Sequence, residues 1–360
     1  MIEVGRIGMQ IKNYFQQMSE IYKHLQDDES KKLFEARIAY LIENDKSRYI
    51  SRLGEIYQDW YCAEDLKEEF KHRKFNNIII FGCGYLGMML KGQLEAMGYK
   101  VGFFCDNNYK GNLDGIKVLS VNELKNQYNQ DDLIIIGTYK YREEIYQQLC
   151  AIGISSKNIL KYEHIDMFGK RGWQYFDVFS PKNNEIFVDA GAFDGENIFD
   201  FCTWTKNKYR KVYAFEPIPE MCEKLKNDIK QKNLYNIQVI NGATWDKKEQ
   251  LHFADEGTST SLNEEGTLIV KGVDIDSVIG DEEVTFIKMD IEGSELKALQ
   301  GARKTIVQQK PRLAICIYHK SMDIIEIPTY LMSLVPEYKF YIRHYTAYMQ
   351  ETVLYATIGN

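Results

Sequence analysis

The stretch that decides the fold is Glu185-Ile186-Phe187-Val188-Asp189-Ala190-Gly191-Ala192-Phe193-Asp194-Gly195-Glu196-Asn197. An apolar run ends in an acid, a glycine-marked turn follows, and a helix-compatible segment comes next. Continuous apolar runs are what parallel strands covered on both faces require. Gly191 lets a ligand lie against the backbone. Asp189 stands where a carboxylate can meet an ammonium group. No Gly-Lys-Ser/Thr triplet follows, so the turn is not a Walker phosphate loop. Its acidity points instead to a zwitterionic or cationic ligand.

The pattern repeats downstream. Val212-Tyr213-Ala214-Phe215-Glu216 ends in a carboxylate 25 residues after Gly191, the place where Rossmann-like folds hold a ribose. Asn241-Gly242-Ala243-Thr244-Trp245 reads as a polar turn bordering an adenine, and Lys288-Met289-Asp290-Ile291-Glu292-Gly293 ends a fourth strand. Further strands are expected at Leu313–Ile317, Lys339–Arg343 and Thr352–Ile358. Together they predict one large α/β sheet with helices on both faces. Asp189, Glu216 and Asp290 then share the carboxyl edge, where open α/β sheets bind ligands. S-adenosylmethionine suits that edge: it carries an ammonium, two ribose hydroxyls and a cationic sulfonium, and an acidic cleft attracts it. Glu196, Asn241 and Ala243 complete the expected cofactor set with Gly191.

The pieces FVDAGAFDGENIFDF, VYAFEPIPEMCEKLKNDI, VINGATWD, FIKMDIEGSELKALQGARKTIVQQKPRLAICIYH and ETVLYA resemble the FkbM-type methyltransferases, a family named after a macrolide O-methyltransferase. The resemblance implies a class I methyltransferase fold with a seven-stranded mixed sheet whose last strand is antiparallel. It also implies cofactor binding around Asp189, Gly191, Glu216, Ala243 and Asp290, and O-methylation of a glycan or polyketide hydroxyl.

For the chemistry, His319 follows the strand Leu313–Ile317 and is the first choice of general base, since a neutral imidazole accepts a proton near pH 7. His344, in YIRHYT, is the next. Asp290 is expected to orient the acceptor or the base. Mg2+ between Asp290 and Glu292 is the less favoured arrangement, because only two acids adjoin and no full ligand set is visible. No metal is therefore assigned. Tyr318, Arg343 and Tyr345 either contact the acceptor or pack, and the Leu251–Lys271 insertion either covers the acceptor or is a surface excursion.

Before this domain, residues 1–72 read as helices, with a stripe of Ile11, Phe15, Met18, Tyr22 and Leu25 that packs on a neighbour or makes a homo-oligomer. Residues 73–165 read as a small Rossmann-like α/β domain, 166–184 as a connector, and 185–360 as the methyltransferase domain. In the small domain Gly82, Gly84 and Gly87 match GxGxxG between strand and helix, and Asp106 ends the next strand 19 residues after Gly87. A second nucleotide site there, or a degenerate fold kept for packing or acceptor handling, are both open. This segment loosely resembles modules of sugar-modifying and nucleotide-sugar proteins. An oxidoreductase centred on this turn and a non-catalytic binding or assembly protein are the alternatives to methyl transfer.

Composition narrows the partners. Across 360 residues the formal net charge is −7, a poor balance for wrapping nucleic acid. No apolar stretch approaches 18 residues, and the N-terminus lacks a secretion signal's basic start and apolar core. Seven scattered cysteines show no zinc spacing and suit a reduced, cytoplasmic setting. The expected partner is a small-molecule or glycan acceptor.

Overall fold

The computed structural model describes residues 2–57, 64–138, 141–162, 173–255, 260–262, 268–346 and 349–359. Trp60, expected in a third N-terminal helix, Cys62, and the Gly257–Ser259 part of the insertion lie outside the described residues. The chain forms two compact units.

One unit comprises Ala39–Arg171 with Tyr345–Met349. Its sheet contains β1 (Asn77–Phe81), β2 (Val101–Cys105), β3 (Gly111–Leu113), β4 (Ile116–Leu119), β5 (Asp132–Ile136) and β6 (Ile159–Leu160), in the order β3-β4-β2-β1-β5-β6. Only the β3–β4 pair is antiparallel. Successive side chains of a strand point to opposite faces. Ile78 and Ile80 accordingly join Leu90 and Leu94 in one core layer, and Ile79 and Phe81 join Leu124 and Leu149 in the other. The GxGxxG turn does connect β1 to a helix, Tyr85–Ala96. A Cβ on Gly87 would fall 2.0 Å from the Gly82 carbonyl oxygen, so this glycine serves the close approach of helix to turn.

The other unit comprises Met1–Ile38, Gly172–His344 and Gln350–Asn360. Its main sheet contains β7 (Glu185–Ala190), β8 (Tyr209–Glu216) and β9 (Ile237–Asn241). A short β10 (Ala243–Thr244) leads to β11 (Glu249–Asp255), β12 (Thr260–Leu262) and β13 (Leu268–Val273). Then come β14 (Phe286–Met289), β15 (Arg312–Cys316), β16 (Lys339–His344) and β17 (Thr352–Thr357). The main sheet has seven strands in the order β16-β17-β15-β14-β7-β8-β9. β17 runs antiparallel to both neighbours, while the strands from β15 to β9 are parallel. This is the class I methyltransferase fold. The described part of the Leu251–Lys271 insertion is not an irregular excursion: it builds a second, four-stranded sheet, β10-β13-β11-β12. Leu251, Phe253 and Val270 form that sheet's own apolar cluster with Trp245.

The expected 1–72 helical region is divided between the units. The helix Ile2–His24 packs on the helix Asp323–Leu334, whereas Lys46–Ile56 packs on Tyr85–Ala96. The expected stripe also shifts. Ile21 and Leu25 are buried, but Phe15 is 66% exposed and the Tyr22 hydroxyl reaches Glu35 at the surface. Asp27 caps the following helix by accepting the Ser30 N–H. Arg343, considered for the acceptor, is instead paired with Asp27 at 2.7 Å.

Candidate active site

The carboxyl ends of β7, β8 and β14 and the β9–β10 turn enclose a cavity of about 400 Å³. Its wall includes Gly191, Phe193, Glu196, Glu216, Ala243, Trp245, Lys288, Asp290, Glu292, Tyr318 and Glu351. Gly191, Glu196, Glu216, Ala243 and Asp290 of the expected set therefore meet there. Asp189 does not reach the wall. It is fully buried beneath, with Lys288 Nζ 2.9 Å from its Oδ1. The lysine also donates to the Gly191 carbonyl at 2.8 Å and lies over the Tyr175 ring. Burial works against its ammonium, but Asp189 and Asp290 outweigh that and hold it charged. The cation that Asp189 meets is thus the protein's own. Gly191 has φ +84°, and a Cβ would fall 2.0 Å from the Asp290 carbonyl oxygen, so the first demand on this glycine comes from the neighbouring turn.

Glu216 is nearly buried at the tip of β8. Its Oε2 accepts the Phe193 N–H and its Oε1 accepts the Ile218 N–H, each at 2.9 Å. Burial raises its carboxyl, and the two amides oppose the rise. Phe193 sits at φ +44°, a left-handed conformation rare for a bulky residue, with its side chain 45% exposed on the cavity wall. The Glu216 contact helps hold that backbone. Asn241 stands outside the wall and donates to the Glu216 and Pro217 carbonyls, bracing the strand end from behind.

The opposite end of the cavity is rich in oxygens. Asp290 Oδ2 accepts the Tyr175 hydroxyl at 2.8 Å, and Oδ1 lies 3.2 Å from the Tyr318 hydroxyl. That hydroxyl is also 3.3 Å from Glu351 Oε1, so its single proton serves one carboxylate at a time. Gln174 donates to Glu351 Oε2. Burial and the adjacent Asp290 charge push the Glu351 carboxyl up to about 7. Neither Tyr175, Lys288, Gln174 nor Glu351 was singled out by the sequence reading. ETVLYA marked the Glu351 strand, but only its pairing with β15 brings it to this edge.

The two histidines depart from their expected roles. His319 Nδ1 lies 2.9 Å from Glu295 Oε1, and Nε2 lies 3.5 Å from Asp290 Oδ1 and 3.4 Å from Glu292 Oε2. Burial disfavours its charge, but Glu295, Asp290 and Glu292 prevail and lift the imidazole to about 9. These carboxylates favour its charged form at neutral pH, which argues against the expected role of base. His344 is fully buried, its Nδ1 2.7 Å from the Thr352 hydroxyl, and it is not on the cavity wall. A histidine after a strand reads alike in sequence whether its neighbours are acids or a threonine.

In the smaller unit, Gly82, Gly84 and Asp106 border a second cavity, of about 870 Å³. Gly87 is not on its wall. Asp106 accepts N–H bonds from Cys83, Asn108 and Tyr109. Burial would raise its carboxyl, but these donors hold it below the usual range.

Residues 189–349 match the family profile described as Methyltransferase FkbM domain. The C-terminal half contains an FkbM-type methyltransferase domain. It is a SAM-dependent methyltransferase, with S-adenosylmethionine as its cofactor. Residues 74–160 match a profile described as C2185-like, N-terminal. Among solved structures, the methyltransferase FkbM from Methylobacillus flagellatus KT is 20% identical, with 91% of this chain and 99% of that chain covered and a TM-score of 0.52. That likeness extends the shared fold over both units. An rRNA methylase from Streptococcus thermophilus is 15% identical, over 50% of this chain and 90% of that chain, with a TM-score of 0.34. Aeropyrum pernix fibrillarin with natively bound S-adenosyl-L-methionine is 11% identical, over 50% and 69%, with a TM-score of 0.32. No curated protein matches the chain.

The FkbM-type domain fits its cofactor. The cavity volume lies within the roughly 300–1,000 Å³ usual for small-molecule sites. Each Glu216 oxygen spends one lone pair on a backbone amide, and an ionised carboxylate offers about four acceptor sites, leaving one per oxygen for two ribose hydroxyls. Among the described residues, no helix is long and apolar enough to cross a membrane.

Proposed function

We propose that this domain methylates a hydroxyl oxygen of a sugar, glycan or related natural product. The observation that carries this reading is Glu351: a carboxylate on the cavity wall, lifted to about 7, beside Tyr318 and Asp290. A hydroxyl is a weak nucleophile until a positioned base begins to take its proton. The bound cofactor supplies an electrophilic methyl carbon on a sulfonium. Glu216 holds the ribose, and Ala243 and Trp245 border the adenine. Tyr318 and Asp290 hydrogen-bond the acceptor and aim its oxygen; alignment of this kind supplies much of the rate. With the cofactor bound, an acceptor oxygen so held would attack the methyl carbon as the C–S pair leaves with sulfur, and Glu351 would take the hydroxyl proton.

The test is transfer from methyl-labelled cofactor to a panel of hydroxylated glycans, nucleotide sugars and amines. Label in ether linkages supports the reading. Label confined to amines overturns it.

Gly84 favours a second reading for the smaller unit. A Cβ there would meet nothing within 4 Å, so no protein contact demands glycine, and the residue faces the cavity beside Asp106. A nucleotide or nucleotide-sugar ligand fits that opening. Calorimetric titration of the full chain with ADP, UDP and a UDP-sugar tests it, and no heat from any of them rejects it.

A further inference from the structure

We infer that His319, Asp290 and Glu292 form a binding site for a divalent transition cation, with Glu295 orienting the imidazole. The His319 side chain is only 9% exposed; its Nδ1 lies 2.9 Å from Glu295 Oε1, whereas its Nε2 has no hydrogen-bond partner. Its Nε2 points between two carboxylate oxygens at 3.5 and 3.4 Å, from Asp290 and Glu292, too far and too poorly aligned for good hydrogen bonds. Ligand atoms that share a cation with bonds of about 2.1 Å stand roughly 3.0–3.4 Å apart, which is close to this spacing.

The surroundings are those of a prepared ligand. Glu295 is buried, and its Oε1 accepts the N–H of Ile291 at 3.0 Å while lying 2.9 Å from His319 Nδ1. A carboxylate on the far ring nitrogen orients the ring, and a cation bound at Nε2 displaces the proton held there and takes the lone pair it leaves. One ligand atom from each of Asp290, Glu295 and His319 lies within 4.8 Å of the other two, and Glu292 stands outside that cluster. Glu292 is half exposed and so has room to close on the ion. Three carboxylates around one imidazole are an excess of negative charge that a divalent cation offsets. The mixed imidazole and carboxylate set suits Mn2+ or Fe2+ better than an all-oxygen Mg2+ site.

Asp290 and Glu292 also line the cofactor cavity. A cation held there would face the acceptor oxygen and lower the hydroxyl pKa. That role rests on the hydroxyl-acceptor reading, but the binding site itself does not.

The experiment titrates Mn2+ into the full chain and follows loss of the free-ion EPR signal, with S-adenosylhomocysteine affinity measured on the same samples. The expected result is one Mn2+ per chain, bound at least about tenfold more weakly by His319→Ala, Glu292→Gln and Glu295→Gln. S-adenosylhomocysteine affinity should stay within about threefold for His319→Ala and Glu295→Gln, which certifies that those variants are folded; Glu292, on the cavity wall, is read through Mn2+ alone. Wild-type protein that binds the nucleoside but not Mn2+ overturns the inference and shows the cluster to be an ion pair only. Mn2+ binding indifferent to all three substitutions also overturns it. Both outcomes leave methyl transfer to a hydroxyl standing, because no acceptor enters the measurement.

Discussion

Lys288 Nζ stands 2.9 Å from Asp189 Oδ1, and the two side chains are 1% and 0% exposed. The pair ties β14 to β7 beneath the cavity at the carboxyl ends of these strands. Removing one partner of such a pair strands a buried charge, at a cost of about 3–5 kcal/mol. Lys288→Met and Asp189→Asn should each lower unfolding free energy by that order in urea titration. The double variant should lose less than the sum. Additive losses would show that the two groups do not act as a pair.

Glu216→Ala should weaken cofactor binding, because it would remove the proposed ribose acceptor and leave the Phe193 and Ile218 N–H groups unpaired. Hydrogen bonds to charged groups contribute about 1.5–3 kcal/mol, so affinity should fall roughly tenfold or more. Calorimetry with S-adenosylhomocysteine reads it, and an unchanged affinity would remove the assigned role.

Glu351→Gln should lower kcat by about 10²–10⁴ with little change in cofactor affinity. In the wild type the rate should rise as pH climbs through about 7, where Glu351 loses its proton. The glutamine variant should lack that rising limb. A limb that survives would assign it to another group.

Asp323, at the start of the helix Asp323–Leu334, is not on the cavity wall. Burial pushes its carboxyl up to about 6 from 3.8, although it accepts the Lys320 N–H. An acid raised on folding stabilises the fold below its unfolded pKa, and the benefit is lost as pH rises through about 6. Asp323→Asn should therefore be more stable than wild type at pH 8, by at most about 3 kcal/mol, and nearly neutral below pH 4. Thermal melts at both pH values check the sign, and a variant less stable at pH 8 would contradict it.

The strands were legible because buried parallel strands are written as unbroken apolar runs, such as Ile186–Val188 and Leu313–Ile317. The acidic tips were legible for the same reason: a carboxylate directly after such a run must stand at the sheet's edge. Less was legible where a side chain's role depends on a distant partner. Lys288 is 99 residues from Asp189, and nothing local to either marks the pair. Tyr175 belongs to the stretch read as a connector, yet its hydroxyl holds Asp290. Phe15 and Ile21 differ by less than two helical turns, and only the packing partner decides which is buried.

Residue order alone determined two α/β sheets and the carboxylates that tip their strands, because strand periodicity and turn chemistry act over a few neighbouring positions. Only the tertiary structure decided that Asp189 is sealed below the cavity, that His319 is ringed by three carboxylates and that Glu351 shares the Tyr318 hydroxyl with Asp290. Charge state follows burial and the field of nearby groups, and here those groups come from β7, β14, β15 and the approach to β17, which meet only when the sheet assembles.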